Sequence, residues 1–266
     1  MENHEVKKRV LEQKVVGIVA ESSPVSVVDA VRSSTGQAEV FKIRADCFEP
    51  QYLNEESIRY LRKELPNISL MISIRHLDSI PEERREIEGH KTTESHDFER
   101  IGLLRTAVQE VGMQYFELEH NRRKGFILFG GENAPKVVIL YTNHKETPSL
   151  ERLSEIRADI ARVGSDHIII ETLVRNQKGD KGEQDREILF GFAKDNLKSD
   201  SYRPLAIVGR GKYGGKINLE AYQKGLSSFV YGVIPSFHPI PFLTAKKVHQ
   251  EMPTLDEVNR YLGLRY

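Results

Sequence analysis

EVFKIRADCFEP, residues 39–50, carries the clearest structural signal in the chain. Apolar and charged side chains alternate through it. Phe41, Ile43 and Ala45 fall on one face and Lys42, Arg44 and Asp46 on the other, because successive residues of a strand point to opposite sides. The next segment has the spacing of an amphipathic helix, and further strands follow. A strand that is apolar toward helices and charged on its other face fits the stave of a barrel, with its polar groups turned toward the barrel mouth.

On both sides of this stretch, apolar strand-like runs alternate with helical patterns. KVVGIVAE (14–21) predicts a first strand, and Ser23 with Pro24 predicts the capped start of a helix through Val27, Val28 and Val31. Asn54 caps a helix carrying Ile58, Leu61 and Leu65. ISLMISIR (68–75), MQYFELE (113–119), KVVILYT (136–142), SDHIIIETLV (165–174), RPLAIVG (203–209) and SSFVYGVIP (227–235) supply the remaining strands. Helices are expected from Ser95 to Gly112, from Pro148 (capped by Thr147) to Gly164, through EILFGFAKDNL (187–197), after GRGKYGGK (209–216), and over TLDEVNRYLGL (254–264). Eight such units in 266 residues predict an α/β fold, a single (β/α)₈ TIM barrel over residues 1–266. The link HNRRKGFILFGGENAP (120–135) is an atypical short connection in place of the fourth helix. The polar stretch 77–94 is expected to be a long mobile loop. AESSPVS, after the first strand, lacks the glycine-rich turn of a dinucleotide-binding sheet.

Composition narrows the function. Lys plus Arg and Asp plus Glu both number 39, so no net charge steers the chain to nucleic acid or an anionic membrane. No apolar run approaches a membrane span, and the charged start MENHEVKKRVLEQK does not have the form of a secretory signal. One cysteine, Cys47, forms no internal disulfide, and a cytoplasmic setting is expected.

Function in such barrels gathers at the C-terminal ends of the strands. Those positions hold Glu21, Arg44, Asp46, Arg75, His76, Glu117, Glu119, Thr142, His144, Glu171, Arg210, Lys212, Lys216, Ser236 and His238. Arg44 and Arg75 are expected either to clamp an anion, since a guanidinium pairs bidentately with carboxylate or phosphate, or to pair with Asp46, Glu117 or Glu119. The glycines and cations of GRGKYGGK suit an anion loop after the seventh strand; a solvated turn is the alternative. Lys42, inside a barrel, must be paired, most simply with Glu117 or Glu171, or neutral and nucleophilic. His144 and Glu119 are candidate bases. A metal held by His144, Glu119 and Glu171 is disfavoured by ligand count, so neither metal nor cofactor is expected.

In their order and spacing these segments resemble the type I 3-dehydroquinate dehydratases. FKIRAD resembles the family's second-strand E-x-R-x-D, SIR followed by EGH its third-strand arginine and Glu-Gly-Gly, and YFELEH its fourth-strand D-x-E. VVILYTNHKETPS, GSDHIIIETL, GKYGGK and SSFVYG are similar to the segments from its fifth strand to its eighth. The resemblance implies a site in which arginines hold a substrate carboxylate, a sixth-strand lysine forms an imine with the ketone, and a histidine moves protons. Arg44, Asp46, Arg75, Glu117 and Glu119 match that pattern. Ile169 stands where the lysine belongs, and Lys42 where the second-strand glutamate belongs. The histidine position falls on Thr142, or on His144 if two residues are deleted. The seventh-strand Ser-Arg is not found, although Lys216 is near, and the last loop's Pro-Gly-Gln is His238, Pro239 and Ile240.

The expectation is a diverged dehydratase-like protein of changed activity that binds a small carboxylate or phosphate. Arg44, Asp46, Arg75, Glu117, Arg210, Lys212, Lys216 and Ser236 would contact the substrate, and His144, Lys42 and Glu119 would carry any catalysis. A non-catalytic ligand-binding or scaffold protein, and an ordinary dehydratase of the shikimate pathway, are the alternatives. The expected partner is a small anionic metabolite, not nucleic acid or membrane, with a homodimer left open.

Overall fold

The computed structural model describes residues 12–75, 94–120, 136–162, 165–175, 181–200, 202–211, 213–235 and 252–264. The eight strands among them are β1 (Lys14–Val19), β2 (Val40–Arg44), β3 (Leu70–Ser73), β4 (Tyr115–Glu119), β5 (Lys136–Asn143), β6 (His167–Leu173), β7 (Leu205–Arg210) and β8 (Phe229–Val233). The helices are α1 (Pro24–Ser33), α2 (Glu55–Glu64), α3 (Glu94–Gln109), α4 (Leu150–Arg162), α5 (Lys181–Lys198), α6 (Gly214–Gln223) and α7 (Leu255–Leu262). All strand pairs are parallel, in the order β7-β6-β5-β4-β3-β2-β1-β8. The seam between β8 and β7 is bridged at its lower end. There the Ser228 amide donates to the Leu205 carbonyl at 2.7 Å, and the Ile207 amide donates to Ser227 Oγ at 3.1 Å. The result is the expected (β/α)₈ barrel.

Capping sets the helix starts. Ser23 Oγ accepts from the Ser26 amide, with Pro24 following it, and Asn54 Oδ1 accepts from the Ser57 amide. Thr254 and Glu257 form a reciprocal capping box at α7. Three starts differ from expectation. α4 begins at Leu150, with Ser149 Oγ accepting from the Arg152 amide, while Thr147 is buried and bonds the Leu173 carbonyl. α5 begins at Lys181, six residues before the expected helix over 187–197. Its buried Asp185 takes the Arg175 amide and guanidinium, an attachment that composition hides. α6 begins at Gly214, within the expected loop, because β7 and α6 meet backbone to backbone there. A Cβ on Gly214 would lie 2.1 Å from the Gly209 carbonyl oxygen. The stretches 77–93 and 121–135, the expected mobile loop and short fourth link, lie outside the described residues.

The alternation in β2 does what the pattern predicts. Phe41, Ile43 and Ala45 join the apolar core between strands and helices, and Lys42 and Arg44 are buried on the inner face. The interior is stacked in layers. Following hydrogen-bond register from Lys42 across two strands leads to Met71 and then Tyr115. Lys42 instead meets Glu117, two residues further along β4. This two-residue climb per two strands is the stagger of a closed barrel. Applied again, it carries Glu117 through Val138 and His167 to Ile169. It also carries Tyr231 through Val16 and Val40 back to Lys42. Lys42, Glu117, Ile169 and Tyr231 therefore form one layer. Below it lie Val40, Tyr115, His167 and Phe229, where the His167 ring stacks on Phe229 at 5.0 Å and Tyr115 meets both edge-on. Above it lie Arg44, Glu119, Glu171 and Val233.

Candidate functional site in the barrel mouth

The lower layer is apolar and aromatic, and the two upper ones carry charge. In the middle layer, Lys42 Nζ donates to Glu117 Oε2, and Ser73 Oγ on β3 donates to Glu117 Oε1 at 2.8 Å. Both members of the pair are almost fully buried. The Lys42 ammonium lies 5.6 Å from the centre of the Tyr231 ring. Burial lowers the Lys42 pKa, and the positive charges of Arg75 and Arg44 lower it further. The Glu117 carboxylate opposes them. The Tyr231 phenol is raised well above its ordinary value by burial and by Glu117 and Glu171, so it stays a neutral donor. Its hydroxyl has no hydrogen-bond partner among the described residues.

Above this layer two arginines converge on one carboxylate. Arg75 Nη2, just past β3, donates to Glu171 Oε2 at 2.9 Å, and Arg210 Nη1, at the end of β7, donates to Glu171 Oε1 at 2.6 Å. Burial pushes the Glu171 pKa up, but Arg75 and Arg210, aided by His144 and Lys42, outweigh it and hold the group well below the usual carboxylate range. Arg75 is buried, and its Nε has no partner among the described residues.

The other expected site residues are distributed as follows. Arg44 donates from Nε and Nη2 to Asp46, which sits in a 3₁₀ turn (Ala45–Cys47) rather than on the strand and folds back to make a two-pronged pair. Glu119 accepts from Arg100 Nη1 at 2.8 Å, and the same nitrogen donates to the Ile74 carbonyl. The fully buried Arg100 thereby ties α3 to the tops of β3 and β4, and Glu119 serves that tie. His144 follows β5 in a turn where Asn143 Oδ1 accepts from the Lys145 and Glu146 amides, and it is half-buried near enough to act on Glu171. Thr142 is in register with Glu171. Among the described residues His144, Glu119 and Glu171 do not form a metal-holding group.

The GRGKYGGK glycines have structural duties. Gly209 and Gly214 permit the close approach of β7 to α6. Gly211 has φ +90°, and a Cβ there would lie 2.8 Å from the Val174 carbonyl oxygen. Lys216 is exposed on α6. It lines a cleft of about 320 Å³ with Glu183, Arg186, Tyr213, Ile217 and Glu220, apart from the Arg75–Arg210 pair. Lys212 and Ser236 lie outside the described residues. The contributions of Ser73, Arg100 and Tyr231 were not anticipated. Tyr231 has a sequence signal, since it alternates with Val230 and Gly232 and so has inward parity on β8. Arg100 has none, because it lies on a helix.

Ile169 is buried inside the barrel, in the same layer as Lys42. Its aliphatic side chain therefore faces the interior.

No curated protein sequence matches the chain. Among solved structures, the type I 3-dehydroquinate dehydratase of Clostridium difficile, crystallised with covalently modified comenic acid, is similar. It has a TM-score of 0.72 at 14% identity, with 95% of this chain and 91% of that one covered. The 3-dehydroquinate dehydratase of Enterococcus faecalis gives 0.71 at 13%, covering 96% and 95%. That of Geobacillus kaustophilus gives 0.68 at 15%, covering 95% and 90%. At such identities the likeness is one of fold. The family model Type I 3-dehydroquinase matches residues 15–214, which run from β1 through every strand of the mouth but β8. With three quarters of the chain matched and its β2, β3 and β4 motifs placed together in one barrel, this protein belongs to the type I 3-dehydroquinase family.

Proposed function

We propose that this barrel binds a small carboxylate-bearing metabolite in its mouth, and that it does not dehydrate 3-dehydroquinate by way of an imine on β6. The observation that carries the first half is the Arg75–Glu171–Arg210 convergence. Arg75 spends one N–H on Glu171 and keeps a buried Nε without a partner among the described residues. A monoanion entering there would meet a planar donor already held in place, the arrangement that favours bidentate capture of a carboxylate. The second half follows from Ile169, whose side chain has no nitrogen and cannot attack a ketone.

Calorimetry with 3-dehydroquinate, quinate and shikimate, run beside an absorbance assay for the dehydrated product, tests both halves. The expected result is binding of at least one acid, weakened about tenfold or more in Arg75→Gln, without product, as loss of a charged hydrogen bond predicts. Absence of binding by all three acids would refute the carboxylate site. Product formation by the unaltered protein would return it to the ordinary dehydratases.

A further inference from the structure

We propose that Lys42 is a covalent anchor, forming an imine with the carbonyl carbon of a small oxo-carboxylate whose carboxylate is held by Arg75. This rests on the carboxylate site proposed above and narrows its ligand to acids that also carry a ketone or aldehyde.

The placement comes from the layers. Lys42 on β2 and Ile169 on β6 are opposite members of one four-residue layer, so a side chain from either stave projects toward the same central space. The layer's other members are suited to amine chemistry. Glu117 holds the Lys42 ammonium through Oε2, and Ser73 fixes its second oxygen, so one carboxylate oxygen is directed at the nitrogen. The Tyr231 ring lies beside the same nitrogen, and its buried hydroxyl lacks a partner among the described residues. Burial together with the charges of Arg75 and Arg44 lowers the Lys42 pKa against the pull of Glu117, which eases the proton loss that leaves a nucleophilic amine. A purely structural ion pair would account for Lys42 and Glu117. It would leave the Tyr231 hydroxyl and Arg75 Nε without partners among the described residues, and unsatisfied buried donors are costly.

The step balances with these groups alone. Glu117 accepts a proton from the Lys42 ammonium. The freed nitrogen pair attacks the carbonyl carbon, and the C–O π bond opens toward the Tyr231 hydroxyl, which donates a hydrogen bond to the developing oxyanion. Proton transfer from nitrogen and from Glu117 to that oxygen lets it leave as water. The carbon–nitrogen double bond remains as a protonated imine beside the Glu117 carboxylate. An ammonium and a ketone have become an iminium and water, with no oxidant or reductant required.

The test uses the full chain with pyruvate, 2-oxoglutarate and 3-dehydroquinate as probes. Each is incubated with the protein, reduced with borohydride and weighed by intact-mass spectrometry, with peptide mapping of any adduct. Calorimetry is run on the same samples before reduction. One reduced adduct per chain on Lys42 is expected, absent in Lys42→Arg. In Lys42→Cys, alkylation to the aminoethyl thioether should restore at least a tenth of it. A probe that binds by calorimetry yet leaves no adduct overturns the imine while sparing the carboxylate site. Trapping on any other lysine also overturns it. Failure of all three probes to bind defeats both proposals together.

Discussion

Glu171 is the residue on which the mouth turns, because its carboxylate separates two guanidinium groups. Its carboxylate gives one oxygen to each, and it is nearly fully buried. Glu171→Gln would keep the shape but present an amide N–H₂ to one arginine and remove the charge facing both. Breaking a buried pair in this way costs roughly 3–5 kcal/mol. Urea unfolding should therefore show a loss of that order. Added 3-dehydroquinate or shikimate should restore part of it, because the ligand carboxylate then does what Glu171 did. A variant as stable as the parent, with unchanged affinity, would mean that the two arginines do not depend on this carboxylate. Residue identity and inward parity of Lys42, Arg44 and Glu171 are legible in the sequence. Their partners are not, since pairing of Lys42 with Glu117 rather than Glu171 follows from the barrel stagger.

At the scale of elements, the contact of β7 with α6 is made by glycines. A Cβ on Gly214 would strike the Gly209 carbonyl at 2.1 Å, whereas a Cβ on Gly191, within α5, meets nothing within 4 Å. The same substitution should thus have opposite signs. Gly214→Ala must push α6 away from β7 and is expected to cost about 2 kcal/mol or more. Gly191→Ala should add about 0.5–1 kcal/mol by lowering the entropy of the unfolded chain and favouring helix. Denaturant midpoints decide both, and a neutral Gly214→Ala would remove the backbone-contact explanation of the motif. The glycine-rich composition of this segment is visible in the sequence and suits an anion loop equally well. Only the distance between two backbones distinguishes the uses.

At the scale of the whole molecule, the lower layer couples barrel stability to pH. His167 is buried against Phe229 and Tyr115. Burial, with Lys136 and Lys14 nearby, lowers its pKa from 6.5 to about 4. Above pH 6.5 the ring is neutral in both folded and unfolded chains, and its contribution to stability is complete. As pH falls toward 4 the unfolded chain takes up a proton that the barrel refuses, so stability is lost through that window. Below about 4 both states are protonated and the loss ends, at on the order of 3 kcal/mol. Comparing urea unfolding of the parent and His167→Phe at pH 7 and pH 4.5 isolates this contribution. The parent should lose more stability than the variant, and equal losses would show that His167 is not the group responsible.

The alternation of strands with helices and the side of β2 that turns inward can both be read along the chain. Those properties are local, set by periodicity, capping and residue type along a continuous chain. Closure of the barrel sets the rest: Lys42 shares a layer with Glu117 and Ile169, Arg75 and Arg210 meet on Glu171, and Glu119 goes to Arg100. Each is a contact between staves or helices distant in sequence, and the shear with which a twisted parallel sheet closes on itself selects it.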